Sequence, residues 1–365
     1  MAIGIGGAGS KLALQLDPQA TVVNVSETEL AKLEADHPVL AVVHAAQGQL
    51  RGSRKSPEIG RDAFLSVKRE LLHLLPGNIV FSSTGGGTGN GITASILEWL
   101  TGTETVEPAA KTQFALLLPY AALEPAEFVV NTVAFLQDSL SPAIDSGNSG
   151  NIFLFTNQFK FESRLTEASY NKMLIDSLNT FYAIPRKGDE YRLVEGHIDY
   201  EDFALYASKP YFNHYTSFGY DPEKSFEKQL KAAHNPYLLP PDTPIEAMFL
   251  LEMPAGADHT VFYDILSYFA GMDVTPVYGV VENPALDEPL ITTSVLYSRK
   301  PDELVEDFNR ISHQHTQAKL RKSFEQSVKL PRLEVNLESE AKRVAEQSGA
   351  DEDDILAVLR RLGKI

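Results

Sequence analysis

Thr84-Gly85-Gly86-Gly87-Thr88-Gly89-Asn90-Gly91 lies between an apolar run, Asn78 to Ser83, and an amphipathic run from Ile92 to Leu100. The stretch therefore reads as a strand-to-helix turn. Without Cβ atoms at Gly85, Gly86, Gly87, Gly89 and Gly91, backbone N–H groups can come within hydrogen-bonding distance of phosphate oxygens. The following helix aims its unpaired N–H groups and positive dipole end at the same anion. Thr84 and Thr88 add hydroxyl donors. A flexible linker is the bland alternative, but linkers seldom separate a buried strand from a helix. A Walker loop would carry a lysine and then Ser or Thr after the glycines, where this chain has Asn90 and Gly91.

Upstream, Met1 to Ile5 leads into Gly4-Ile5-Gly6-Gly7-Ala8-Gly9-Ser10-Lys11, then a helix-like stretch to Leu16 and a second strand, Thr21 to Val25. Gly4, Gly6 and Gly9 fit a dinucleotide fingerprint, with Glu27 placed as an acidic ribose ligand. That reading, an NAD-dependent oxidoreductase, leaves the second glycine turn without a role. Two glycine turns from one parallel sheet point instead to a mononucleotide gripped from several loops. Leu40 to Ala45 is a further short strand. Arg54 and Lys55 then lie on a loop that runs into a helix with Pro57 and Glu58 in its first turn. This loop either approaches a terminal phosphate or is a solvated basic turn. Phe114 to Leu118 is a strand ending at Pro119-Tyr120, Glu124 opens the next helical stretch, and Ile152 to Phe155 is a strand again. Strands alternating with helices predict a doubly wound parallel sheet with its ligand at the carboxyl ends of the strands.

Thr166 to Tyr182 reads as one long helix. Beyond it, Asp199 and Asp202 would share a face at i, i+3 if the backbone is helical. Such pairs polarise water or help hold a cation, although most are solvated surface or capping residues. Residues 205 to 240 read as an irregular connection. Strands at Ile245 to Leu251, Val277 to Val281 and Leu290 to Tyr297, with a helix from His259 to Phe269, form a smaller α/β domain. Pro301 to Val328 is a long helix that would brace both domains or reach a neighbouring molecule. Pro331 ends it, and an acid-rich tail closes with the amphipathic Asp353 to Leu362.

The chain of 365 residues is 43% hydrophobic and 22% charged, which is ordinary for a globular protein of two domains. It has no cysteine, which excludes disulfides, thiolate metal sites and cysteine nucleophiles. A net charge of −17 repels a nucleic-acid backbone, so direct nucleic-acid binding by the body is not expected. No apolar run approaches the roughly 20 residues of a membrane span. The expected setting is cytoplasmic.

Thr84 to Gly91 resembles the signature motif GGGTG(S/T)G of the tubulin and FtsZ superfamily, with Asn90 in the variable position. Gly4 to Ser10 resembles the first phosphate loop, Val23 to Ser26 the segment I-N-T-D, and Pro57 to Arg61 the segment P-E-(I/V)-G-(R/K). His197 to Phe203 resembles the catalytic loop N-L-D-F-A-D-V, and Ala285 to Ser298 resembles the end of the FtsZ second domain. The resemblance implies a Rossmann-like GTP-binding domain (1–165), a central helix (166–184), a second domain (185–300) with the catalytic loop at 197–203, and a long helix and tail (301–365). It implies a GTPase that polymerises head to tail and holds GTP or GDP with Mg2+. Gly6, Gly7, Ala8, Gly9, Ser10, Lys11, Asn24, Arg54, Lys55, Pro119 and the residues of Thr84 to Gly91 would surround the nucleotide. Within that set Glu124 would meet the ribose and Asn171 the guanine. Asp199 and Asp202 would enter the next subunit and complete its active site.

Four positions depart from the family pattern: His197 replaces an Asn of the catalytic loop, Lys11 an Asn near the base, Glu167 the aromatic that stacks on guanine, and Phe128 an arginine near the phosphates. The long helix and short tail resemble the TubZ and bacteriophage branches, which implies plasmid or phage DNA segregation through an adaptor or cargo protein bound by the tail. An FtsZ-like division protein and a non-polymerising GTP-binding regulator are the alternatives.

Overall fold

The computed structural model describes residues 1–36, 42–44, 52–325, 356, 357 and 360. By compactness the chain divides into residues 1–315 and 316–365. The described part of the second unit is the end of a helix plus Leu356, Ala357 and Arg360, which are also helical. Most of the amphipathic segment near the terminus, Pro331, and residues 326–328 of the expected long helix lie outside the described residues.

In the first unit, β1 (Ala2–Ile5), α1 (Gly6–Leu16), β2 (Thr21–Asn24), α2 (Glu27–Asp36), β3 (Val42–His44), α3 (Pro57–Leu74), β4 (Ile79–Ser83) and α4 (Thr88–Thr101) alternate as expected. β5 (Thr112–Leu118), α5 (Ala126–Phe135), a π turn, α6 (Ser141–Ser146) and β6 (Ser149–Thr156) continue the pattern. β1 to β6 pair only in parallel, in the order β3-β2-β1-β4-β5-β6. A parallel sheet covered on both faces needs apolar residues at every strand position. β5 shows how they divide: Phe114, Leu116 and Leu118 pack into one core with α3 and α4, whereas Ala115 and Leu117 pack into the other with α1.

Then follow α7 (Asn157–Glu162), α8 (Glu167–Tyr182), α9 (Ile184–Glu190), β7 (Arg192–Gly196), α10 (Tyr200–Ala207), β8 (Phe212–Gly219), α11 (Phe226–Ala232), β9 (Pro244–Met253), α12 (Phe262–Ala270), β10 (Val277–Glu282), β11 (Leu290–Tyr297) and α13 (Pro301–Glu325). These strands extend the same sheet in the order β8-β11-β9-β10-β7, making eleven strands among the described residues. The seam is thin, since β6 and β8 pair in parallel only at Ile152 and Phe212. A buried polar relay reinforces it. Asn213 donates to Asn151 Oδ1 at 2.7 Å, and Ser294 Oγ donates to Asn213 Oδ1 at 2.8 Å. α8 lies across this seam: Leu174, Leu178 and Phe181 share a core with Phe153 of β6 and with Tyr215, Leu250 and Leu296 beyond it.

Residues 205–240 are not irregular, because they contain β8 and α11. The polar look of Phe212–Gly219 hid a strand whose Asn213, His214 and Thr216 are buried, two of them bonded by Asn151, Ser294 and the Ala233 carbonyl. β7 is a second strand that the sequence does not reveal; it is a mostly exposed edge paired, among the described residues, only with β10.

Candidate nucleotide site

Two helices begin at the carboxyl ends of neighbouring strands, α1 at Gly6 after β1 and α4 at Thr88 after β4. α4 therefore starts inside the glycine stretch rather than at Ile92. It is buried from Thr88 to Leu97 rather than amphipathic. Its first turn must lie very close to α3, and a Cβ at Gly91 would overlap the Pro57 carbonyl oxygen and lie 2.7 Å from Arg61 N. Gly9 is as tightly held, since its Cβ would overlap the Phe81 carbonyl. Packing requires these two glycines whether or not a ligand binds.

What remains for a ligand is a cavity of about 260 Å³ lined by Ala8, Ser83, Gly85, Gly86, Leu117, Pro119, Glu124, Phe128, Asn157, Lys160, Glu167, Tyr170 and Asn171. The backbone N–H groups of Gly85, Gly86 and Gly87 donate to nothing among the described residues. Thr88 N, at the start of α4, already donates to Ser53 Oγ at 3.0 Å; the three glycine N–H groups, beside the start of α1, form a set of donors suited to an anion.

The side chains expected at the nucleotide divide into two groups. Thr84, Ser10, Asn90 and Asn24 are buried and committed inside the protein. Thr84 Oγ1 donates to Leu117 O at 3.1 Å, Ser10 Oγ to Gly6 O at 2.6 Å, Asn90 Nδ2 to Asn131 O at 3.0 Å, and Asn24 Nδ2 to Glu29 Oε2 at 2.6 Å. These residues shape the loops. Asn171 is only 4% exposed, yet its amide has no partner among the described residues. Glu124 accepts from Tyr120 N at 2.6 Å and from Asn157 Nδ2 at 3.1 Å through one carboxylate oxygen, and the other oxygen is free. Arg54 and Lys55 both have left-handed backbone, φ 51° and 64°. Neither lines the cavity; Lys55 Nζ stands 5.1 Å from the centre of the Phe128 ring, which does. A cation thus rests on an aromatic ring that lines the cavity. Lys11 is paired with Glu167.

Asn157 and Lys160 were missed in the sequence. Both belong to the first turns of α7, directly after β6, so the rule that ligands gather at the carboxyl ends of parallel strands could have found them.

Asp199 and Asp202 are elsewhere, and no residue of 197–203 lines the cavity. Asp199 is the N-cap of α10, its Oδ1 accepting from Glu201 N at 2.8 Å and Asp202 N at 2.7 Å. Ile198 and Phe203 are buried anchors on either side. Between them Asp202 is exposed, and its carboxylate has no partner among the described residues. Tyr200 and Leu205, 58% and 52% exposed, flank it. At the start of the loop, His197 Nε2 lies 3.2 Å from Asp189 Oδ1.

The two glycine turns, the long helix across the seam and the mixed second half of the sheet can be set beside solved structures. A GTPγS-form protofilament of Bacillus thuringiensis serovar israelensis TubZ superposes with a TM-score of 0.68 at 14% identity, covering 88% of this chain and 93% of that one. This chain has the tubulin/FtsZ fold. TubZ of Clostridium botulinum phage c-st matches at TM-score 0.62 and 17% identity, over 87% of this chain and 98% of that one. The GTPγS-bound protofilament of CetZ2 from Haloferax volcanii matches at TM-score 0.61 and 18% identity, with the same coverage of 87% and 98%. No family model matches the sequence, and no curated protein matches it. Among the described residues of this tubulin/FtsZ-fold chain, no helix is long and apolar enough to cross a membrane.

Proposed function

We propose that the chain is a GTP-dependent, filament-forming GTPase whose active site is completed by a second copy of itself. One observation carries this reading: the donor-lined cavity holds no acid from 197–203, while Asp202, the acid expected to act on water, stands exposed, unpaired among the described residues, and outside the lining of that cavity. Each chain thus has two halves of a phosphoryl-transfer site that do not meet within it. Head-to-tail stacking would bring Asp199 and Asp202 of one copy to the terminal phosphate held by the next. There a positioned water and charge stabilisation suffice, without a covalent nucleophile. That proteins of similar fold form protofilaments supports self-association of this chain.

GTP would lie with its phosphates on the Ala8, Gly85 and Gly86 donors, its ribose by Glu124 and its base by Asn171. Among the described residues no group of three acids or histidines is placed to hold a metal. Mg2+ would therefore be held chiefly by phosphate oxygens and water, where it supplies charge neutralisation. A likeness to TubZ favours plasmid or phage DNA positioning in the cytoplasm as the cellular role. With a net charge of −17, that role would run through an adaptor or cargo protein at the tail.

The test is GTP turnover against protein concentration, with pelleting in parallel, for the parent and Asp202→Ala. The expected result is a concentration threshold in the parent and stable, GTP-loaded polymer with turnover reduced at least about 100-fold in the variant. Turnover linear in protein, or a variant that hydrolyses GTP at the parental rate, would sink the assembled-site reading. Binding without either assembly or turnover would point to a monomeric regulator.

A further inference from the structure

The nucleotide reading leaves one charged contact without a role. Lys11 on α1 and Glu167 at the first position of α8 are 156 residues apart in sequence, and Lys11 Nζ donates to both carboxylate oxygens at 3.0 and 2.9 Å. Each side chain is about half exposed, 50% and 48%, so water competes for both and the pair opens readily. Glu167 and Asn171, one helical turn apart, line the cavity that reaches the glycine loop. They also line a second hollow of about 310 Å³, whose wall includes Lys11, Leu14 and Leu33. Glu167 stands at the boundary these hollows share, and its partner Lys11 lines the second. A ligand anchored by its phosphates at Gly85 and Gly86 would bring its far end to this pair and to the unpartnered amide of Asn171.

We propose that Lys11 and Glu167 are the specificity-determining pair of the site and select a purine with a 6-oxo and a 2-amino group. This rests on the nucleotide-binding reading above. Guanine presents an acceptor at O6 and donors at N1 and at the 2-amino group. An ammonium only donates and an ionised carboxylate only accepts. The ion pair can therefore exchange its mutual contacts for Lys11 to O6 and for the N1–H and 2-amino groups to Glu167. Adenine presents the reverse, an amino group toward the ammonium and a bare N1 toward the carboxylate. The pair then repels the wrong base as well as attracting the right one. Asn171 carries both donors and an acceptor, so its amide can turn to suit either purine and does not discriminate by itself.

The experiment is calorimetric titration of GTP, ITP, XTP and ATP into the parent, Glu167→Gln and Lys11→Met, at protein concentrations below pelleting. In the parent, GTP should bind about tenfold more tightly than ITP, which lacks the 2-amino group, and at least about 100-fold more tightly than ATP. Glu167→Gln should bring the GTP and ITP affinities within about threefold and improve XTP, whose 2-oxo group can accept from the new amide. Lys11→Met should weaken GTP and ITP alike, by about tenfold, and leave ATP unchanged or improved. Unfolding midpoints show whether each variant is folded. A folded Glu167→Gln with parental GTP:ITP and GTP:XTP ratios would overturn the pair while leaving the nucleotide reading intact. A parent that binds none of the four would overturn both.

Discussion

β1 to β6 and β8 to β11 belong to one sheet, yet they carry chemistry in opposite ways. In the first half the six strands pair with one another only in parallel, both faces are covered, and the candidate ligand groups are largely main-chain N–H donors exposed because side chains are missing. In the second half most pairings are antiparallel. Its notable groups are side chains: an exposed acid ahead of β8 and a buried histidine within it. A site built of backbone is rigid and tolerates little substitution. A site built of side chains on a loop can be changed residue by residue without disturbing the sheet.

That contrast is sharpest at glycine. Gly9→Ala would drive a Cβ into the Phe81 carbonyl, in a region where neither helix nor strand can retreat. The expected cost is about 3 kcal/mol, at the severe end of overpacking. Gly219→Ala at the end of β8 meets nothing within 4 Å, and a change within about 0.5 kcal/mol is expected. Urea unfolding of the two variants compares the halves directly. If Gly9→Ala were as mild as Gly219→Ala, the rigidity assigned to the first half would be wrong.

The same contrast explains what could be read without coordinates. β4 and β5 were legible because a strand buried on both faces is apolar throughout, and the glycines mark the turns because few other residues fit there. The helix start at Thr88 was not legible, since its evidence is the contact of Gly91 with α3, a tertiary fact. β8 was hidden because its polar residues bond to partners 62 and 81 positions away, Asn151 and Ser294. Local composition carries no trace of such partners. By its spacing Asp199 reads first as a surface or capping residue and, through the family resemblance, as a catalytic acid; the structure shows that it caps α10. Nothing in the cap geometry prevents a second role.

A smaller effect concerns His214 on β8. Its ring stacks on His234 with centroids 4.4 Å apart, and Nε2 has no partner among the described residues. Burial, and next the neighbouring His234, push its pKa down to about 3. Glu227, Lys231, Asp242 and Tyr268 share the adjoining hollow of about 650 Å³. The unfolded chain takes up a proton near pH 6.5 while the folded chain stays neutral to about 3, so stability falls as pH drops through that window. At pH 5.5 this histidine should cost about 1.4 kcal/mol relative to neutral pH. His214→Asn should remove that part of the slope, measured as the difference between parent and variant unfolding energies from pH 7.5 to 5. Parallel slopes would mean that His214 does not stay neutral in the folded chain through that window.

The smallest effects separate the two acids of the 197–203 loop. Asp199 Oδ1 satisfies two N–H groups at the start of α10, so Asp199→Ala should cost about 1 kcal/mol, whereas Asp199→Asn keeps an acceptor and should cost only a few tenths. Asp202 makes no such bond, and Asp202→Ala loses only a first-turn charge, also a few tenths. Stability and turnover then become independent readouts. If Asp199→Asn and Asp202→Ala both keep parental stability and both lose GTP turnover, the two carboxylates act together and the cap is incidental to the chemistry. If Asp199→Asn keeps its turnover, Asp199 serves only to fix the loop, and the exposed Asp202 alone is what one copy offers to the backbone-built cavity of the next.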